Sequence, residues 1–319
     1  MIEIVKQILK NEKIDYTLLK KSEAGFSNEV YFIDDRYVLK ICDGKKSHKL
    51  KKEITIYQNI KMENVPKYIL HGEIEDKVYL IIEKIQGKSL YNVWHILSEE
   101  DRKHIIYLMC NILKEFSSQP HFYLEERYKS ENWLQKWQKS FDINIPILKE
   151  RNFDTALLED FKANKLEKIM KQQNLKLLFN DAHFDNFILT NDKKLYLIDF
   201  DRVIYGSLDY ELLILDSMLD NPFKFASLEE EAFVKEEDYK NIRSYLNEFY
   251  PELYDFKYIN ERVFLYKFFY KLGAGYEYDR NEWIKQDLED FREYFYGKGE
   301  DNERNWYTIL EQKKTIFMV

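Results

Sequence analysis

The chain has 319 residues, 45% hydrophobic, 16% aromatic and 33% charged, with nine Gly and five Pro, a composition that builds a folded core and excludes a disordered chain. Its 49 basic and 57 acidic side chains give a formal net charge of −8, which argues against a nucleic-acid partner, because such binding rests on basic patches. Cys42 and Cys110, in no CxxC spacing, supply neither a disulfide framework nor a zinc site. No apolar run reaches the length of a membrane span, and the N-terminus is not a signal peptide, so a cytoplasmic protein without a membrane partner is expected.

Apolar spacing at Ile2, Val5 and Leu9 predicts a short opening helix over residues 2–12. Three strand-like runs follow, Tyr16 to Lys21, Glu29 to Ile33 and Tyr37 to Ile41, the last two joined by Asp34-Asp35 as a hairpin turn. A Lys-rich stretch leads into a helix over Leu50 to Ile60, and two more strands run from Tyr68 to Gly72 and from Val78 to Glu83. After Gly87 the pattern changes: residues 99–118 and 154–174 have helical spacing, 176–200 reads as a compact hairpin, and helical patterns dominate from about 207. No internal repeat and no Gly/Ser- or Pro-rich linker is seen.

The most informative segment is LKLLFNDAHFDNFILTNDKKLYLIDFD, residues 175–201. Two apolar runs each deliver an aspartate just past their ends, Asp181 and Asp199, and Asn186 lies five residues after the first and thirteen before the second. Phosphoryl transfer asks a protein for one carboxylate to orient a hydroxyl and take its proton, and for oxygen ligands to hold a divalent cation on the phosphates. One Asp with an Asn and Asp pair is such a set. As isolated residues they would be strand-capping turn residues.

This segment resembles the catalytic and metal-binding loops of the aminoglycoside phosphotransferase and choline kinase superfamily, whose pattern is roughly H-[GN]-D-x-x-x-x-N followed by I-D-[FW]. Here Phe179-Asn180-Asp181-Ala182-His183-Phe184-Asp185-Asn186 precedes Ile198-Asp199-Phe200, with Phe179 in place of the His and Asp201 in place of the glycine of protein kinases. The resemblance implies Asp181 as catalytic base, Asn186 and Asp199 as Mg²⁺ ligands, and a loop-bracing role for His183. GSLDYEL, residues 206–212, is similar to the family's G-D-P-x-Y-D-L brace.

The N-terminal part extends the likeness in the right order. Lys40, in YVLKI, sits where the phosphate-holding lysine belongs, and Glu53, thirteen residues on, is placed to pair with it. The loop Ala24-Gly25-Phe26-Ser27-Asn28 lies at the place of the phosphate-covering loop, with Gly25 and Ser27 as contacts although GxGxxG is absent. IIEKIQG, residues 81–87, is similar to the family's hinge, where backbone groups near Glu83 and Ile85 would meet the base.

From Asp199 to Asp238 twelve acidic residues are opposed only by Arg202, Lys224 and Lys235. That run is either a solvated surface or, as in the family, part of a site for a polycationic acceptor, with Asp216 and Asp220 as its contacts. Trp133, Trp137 and Trp283 are either core or an aromatic cage. The expected fold is α+β, a bilobal protein-kinase-like arrangement. A small β-rich nucleotide lobe would span residues 1–86, and a larger, mainly helical lobe with the loops and acceptor site would span 87–319. The resemblance implies Mg²⁺ with ATP or GTP as cofactors, O-phosphorylation of a small, cationic molecule of aminoglycoside type (hence antibiotic resistance), and a monomer or homodimer. A metabolic kinase acting on choline, ethanolamine, a sugar or an amino alcohol, and a catalytically silent nucleotide-binding regulator, are the alternatives.

Overall fold

The computed structural model describes residues 1–22, 28–125, 132–227 and 229–297. These fall into two compact units, Met1–Lys129 with Lys176–Pro251, and Ser130–Leu175 with Glu252–Val319. The division follows compactness and does not pass through residue 86.

In the first unit, α1 (Ile2–Asn11) precedes an antiparallel five-stranded sheet of β1 (Leu19–Lys21), β2 (Glu29–Ile33), β3 (Tyr37–Asp43), β4 (Tyr68–Ile74) and β5 (Lys77–Glu83), in the order β1-β2-β3-β5-β4. Strand alternation decides what each face does. Leu39 and Ile41 pack with Tyr31, Ile33, Tyr79 and Ile81 against Val5, Ile8 and Leu9 of α1. Lys40, between them in β3, points to the other face, where α2 (His48–Asn59) crosses. The helix α1 buries Val5, Ile8 and Leu9 and leaves Ile2, its first residue, exposed.

The chain leaves this sheet after Glu83 and forms β6 (Gly87–Ser89), followed by α3 (Leu90–Val93) and α4 (Glu99–Ser117). The segment read as one hairpin is distributed over two sheets. β8 (Phe187–Thr190) and β9 (Leu195–Leu197) form a hairpin that β6 extends. β7 (Leu175–Leu178) pairs instead with β10 (Ile204–Ser207). The loops that carry Asp181 and Asp199 therefore leave two different sheets. Helices α8 (Leu212–Asp220) and α9 (Ile242–Phe249) complete this unit.

The second unit holds α5 (Trp133–Glu150), α6 (Ala156–Asn164), α7 (Leu166–Met170), α10 (Ile259–Glu277) and α11 (Asn281–Tyr296). The helix expected over 154–174 is two helices with a break at Lys165, and α5, which carries Pro146 inside it, has no counterpart among the expected elements. Trp133 and Trp137 belong to its core: Trp133 donates to the Tyr266 hydroxyl (3.0 Å) and Trp137 stacks on the Tyr266 ring (4.9 Å). Trp283 is about half exposed and stands apart from them. Arg262 is fully buried, and its guanidinium donates to the Ile169 and Gln172 carbonyls, both at 2.9 Å, at the C-terminal end of α7. Among the described residues no helix is long and apolar enough to cross a membrane.

Removing that guanidinium leaves two carbonyls short of a donor in a site that excludes water, at roughly 1–3 kcal/mol each. Arg262→Leu is expected to lower the unfolding free energy by about 2–4 kcal/mol, read from the denaturant midpoint at unchanged m-value.

Candidate active site

Every described residue singled out above for phosphate, metal or proton chemistry lies in the first unit. Its centre is Lys40. The ammonium is only 8% exposed and donates to Glu53 Oε1 (2.8 Å) and Asp199 Oδ1 (3.1 Å). Burial works against the charge, but the Asp199 and Glu53 carboxylates outweigh it and hold the Lys40 pKa above its ordinary value. Glu53 is fully buried, and Oε2 has no hydrogen-bond partner among the described residues. Burial pushes its carboxyl up to about 7 against the pull of Lys40. Asp199 differs: its side chain is 44% exposed, and although burial opposes its ionisation, Lys40 keeps its pKa below the usual range. The acid on the helix is enclosed and the acid on the loop faces outward.

Asp181 and Asn186 are joined within one turn. Asn186 Nδ2 donates to the Asp181 carbonyl (2.8 Å) and to Asp181 Oδ2 (3.0 Å), and lies 3.1 Å from His183 Nε2. The Ile198 amide donates to the Asn186 carbonyl (3.0 Å), which sets the Asn186 turn beside the strand leading to Asp199. With Nδ2 spent on Asp181, the acceptor oxygen of Asn186 and the exposed carboxylate of Asp199 are the hard oxygen donors of the site. Two such donors suit Mg²⁺, which keeps waters and phosphate oxygens in its shell. Among the described residues no group of three or more His, Cys, Asp or Glu forms a metal cage.

The position of Phe179 explains how the loop carrying Asp181 is braced without a histidine at that position. Its ring is buried between Phe116 (6.1 Å), Phe187 (6.4 Å) and Phe200 (5.9 Å), and Phe200 in turn meets Tyr57 of α2 edge-on at 4.9 Å. The hydrogen bonding of this turn runs through the backbone. The amides of Phe179 and Asn180 donate to Oε1 (2.5 Å) and Oε2 (2.8 Å) of buried Glu211, with Asn180 at φ 57°. Consecutive amides turned to one side in this way form an anion nest. Glu211 is the penultimate residue of GSLDYEL, a segment read as a brace without a residue being assigned to the task.

Other expected residues fall as follows. Glu83 ends β5, its amide donating to the Lys67 carbonyl (2.9 Å). Residues 84–86, Ile85 among them, carry no regular structure, which leaves peptide groups outside the ladders. Gly25 and Ser27 lie outside the described residues. Asp216 and Asp220, one turn apart on α8, are tied to Arg243: Nε to Asp216 Oδ1 at 2.7 Å and a terminal nitrogen to Asp220 Oδ1 at 2.6 Å. Their charge is shared with an arginine that sequence reading did not connect to them, since Arg243 lies 23 residues further on. Lys49 and Lys52 were also missed, although Lys49 stands one helical turn before both Lys52 and Glu53: Lys49 reaches Asp201 Oδ2 (3.0 Å) and Lys52 the Val203 carbonyl (2.9 Å).

The five-stranded sheet with its buried lysine, the crossing helix that holds it, and the two loops of carboxylate and amide define a kinase-like α+β protein. Residues 19–240 match the sequence profile of the phosphotransferase enzyme family, APH. The chain belongs to that family. Solved structures with this fold include the aminoglycoside phosphotransferase APH(2'')-Ib bound to ADP, at TM-score 0.64 and 22% identity over 90% of this chain and 95% of that one. The gentamicin complex of APH(2'')-IIa aligns at TM-score 0.62 and 21% identity, covering 90% and 94%. The GDP complex of aminoglycoside 2'-phosphotransferase-IIIa aligns at 0.61 and 16%, covering 90% and 96%. Among curated proteins, iron-regulated surface determinant protein B of Staphylococcus aureus (strain bovine RF122 / ET3-1) is 23% identical over 205 residues, 62% of this chain and 32% of that protein. The chain thus spans about a third of the curated relatives it matches, and a likeness of that extent carries no function across.

The buried brace gives a pH signature. Burial raises the Glu211 carboxyl from its ordinary 4.5 to about 7, with the two amides pulling it back. The folded chain therefore holds this proton more tightly than the unfolded chain, and Glu211 makes stability fall as pH rises from about 4.5 to about 7, at up to about 1.4 kcal/mol per pH unit. Glu53 acts in the same window. Glu211→Gln is expected to flatten this slope between pH 5 and 7 in denaturant titrations. At pH 7 it should also weaken turnover, because one loop amide then faces an NH₂ group.

Proposed function

We propose that this chain transfers the γ-phosphate of Mg-ATP or Mg-GTP to a hydroxyl of a small cationic acceptor of aminoglycoside type. The observation that carries the reading is the meeting at Lys40 of Glu53 and Asp199, with Asp181 and Asn186 joined in the adjoining loop. Residues 1–86 serve the nucleotide, and 87–319 supply the loops and the acceptor site. Lys40 has three N–H donors and spends two on carboxylates, so one remains for a phosphate oxygen. Backbone groups at Glu83 and Ile85 meet the purine, and Gly25 and Ser27 cover the phosphates.

Asp199 and the side-chain oxygen of Asn186 would hold Mg²⁺, which when bound would supply positive charge against the phosphates. Asp181 accepts the proton of the acceptor O–H. The acceptor oxygen bonds to the γ-phosphorus as the bond from that phosphorus to the bridging oxygen breaks, and the nucleoside diphosphate leaves. The ADP, GDP and gentamicin complexes of proteins with this fold support nucleotide and acceptor classes of this kind.

One observation favours a second reading, a metabolic kinase with a less charged acceptor: Arg243 already balances Asp216 and Asp220. Cationic attraction then falls to the exposed carboxylates Glu229, Glu231, Glu236 and Glu237. A coupled screen for ADP and GDP release, with aminoglycosides, choline, ethanolamine and sugars against ATP and GTP, separates the two. An aminoglycoside acceptor should show a KM that rises with ionic strength more steeply than that of the nucleotide. A neutral best substrate whose KM ignores salt rejects the first reading.

Asp181→Asn should lower kcat by on the order of 10²- to 10⁴-fold at unchanged nucleotide affinity; undiminished turnover would remove Asp181 from its role. Asp199→Ala should abolish the tightening of nucleotide binding by Mg²⁺ in calorimetry, and a full Mg²⁺ effect in the variant counts against that ligand.

A further inference from the structure

We propose that Arg202 is a further catalytic residue, an arginine carried within the chain that neutralises negative charge on the phosphoryl group as it passes from nucleotide to acceptor. The inference rests on the phosphotransferase reading above. It begins with the two oxygens of Asp181, which have unlike surroundings. Oδ2 accepts from Asn186 Nδ2 at 3.0 Å, with His183 Nε2 at 3.6 Å. Oδ1 has Arg202 Nε at 3.5 Å. That separation is an ion pair and too long for a good N–H···O bond. Oδ1 therefore keeps a lone pair for the acceptor proton and is the oxygen at which the base works.

An acceptor hydroxyl hydrogen-bonded to Oδ1 stands about 2.6–3.2 Å from it, and the phosphorus about 3–3.5 Å beyond at attack. The guanidinium, already 3.5 Å from Oδ1, reaches the phosphoryl oxygens by a small torsional change. Its side chain is 34% exposed. A planar guanidinium stays charged at any working pH and fits phosphate oxygens in pairs, which a lysine does not.

The backbone around Arg202 is fixed on both sides, and by one element. Asp201 is held by Lys49 and the Val203 carbonyl by Lys52, both on α2, the helix that also presents Glu53 to Lys40. Phe200 packs on Tyr57 of the same helix. Asp199, Phe200, Asp201 and Val203 are thus all secured through α2, directly or through Lys40, and the side chain between the last two is the one turned to the base. An ordinary surface ion pair does not need its backbone anchored at both neighbours.

The test requires no acceptor. Wild type, Arg202→Ala and Arg202→Lys are titrated with Mg-ADP and Mg-GDP, with and without aluminium fluoride, which with the diphosphate mimics the phosphoryl group in transfer; thermal melts check folding. Arg202→Ala should bind the diphosphate as wild type does and lose about 10²- to 10³-fold in affinity for the fluoride complex, the loss typical of one charge-stabilising group. Arg202→Lys should recover part of that loss. Fluoride-complex affinity that is unchanged, or that falls only in parallel with diphosphate affinity, overturns the role of Arg202 while leaving the nucleotide reading intact. Wild type that binds neither diphosphate overturns both.

Discussion

An ammonium removed from water has to be met by opposite charge, and in this protein the requirement falls on Lys40. An unpaired charge there would cost several kcal/mol. Its partners come from 13 and 159 residues away, Glu53 and Asp199. The requirement is satisfied only when β3, α2 and the loop after β9 are all in place. Leu39 and Ile41 fix which face of β3 is apolar, so Lys40 is driven to the opposite face, toward α2. The packing of α1 and the polar centre of the site are in this sense two outcomes of one strand's alternation. Glu53, enclosed, belongs to the scaffold of that centre, and Asp199, outward-facing, to its working surface.

Much of this was legible in the linear chain where neighbours in sequence do the work. Strand-like runs marked β2, β3 and β5, and helical spacing marked α1, α2 and α4. The five-residue step from Asp181 to Asn186 is a single loop, so its spacing carries its geometry. What was not legible depends on partners the sequence does not place side by side. β7 pairs with β10 rather than with the strand that follows it, and α5 stayed hidden behind Pro146. The acidic run read from composition dissolves into separate local arrangements: Arg243 with Asp216 and Asp220, Arg102 with Asp238 at 2.9 Å, and Ser89 and Asn92 donating to Glu230. Net charge over forty residues describes how such a stretch attracts ions at a distance and says little about which carboxylates are available at close range.

The helix α2 is where the two parts of the site are brought into register. Its residues at positions 49, 52, 53 and 57 lie along one stripe. Through Lys40 or directly, that stripe secures Asp199, Phe200, Asp201 and Val203. The attachments differ in kind, a relayed ion pair, an aromatic edge contact, a part-buried ion pair and a buried bond to a backbone carbonyl. Losing one therefore weakens the alignment without releasing it.

The nest beneath the Asp181 loop bears on how freely this protein can change. Because Glu211 takes hold of main-chain amides, the loop's polar anchor does not depend on which side chain stands at 179, and that position is left to answer for volume and hydrophobicity alone. Residue 179 is thereby released from chemical duty, open to exchange among large apolar side chains, while the obligation passes to a glutamate 32 residues away whose reach sets the shape of the turn. The freedom at position 179 and the demand placed on position 211 are then two sides of a single trade.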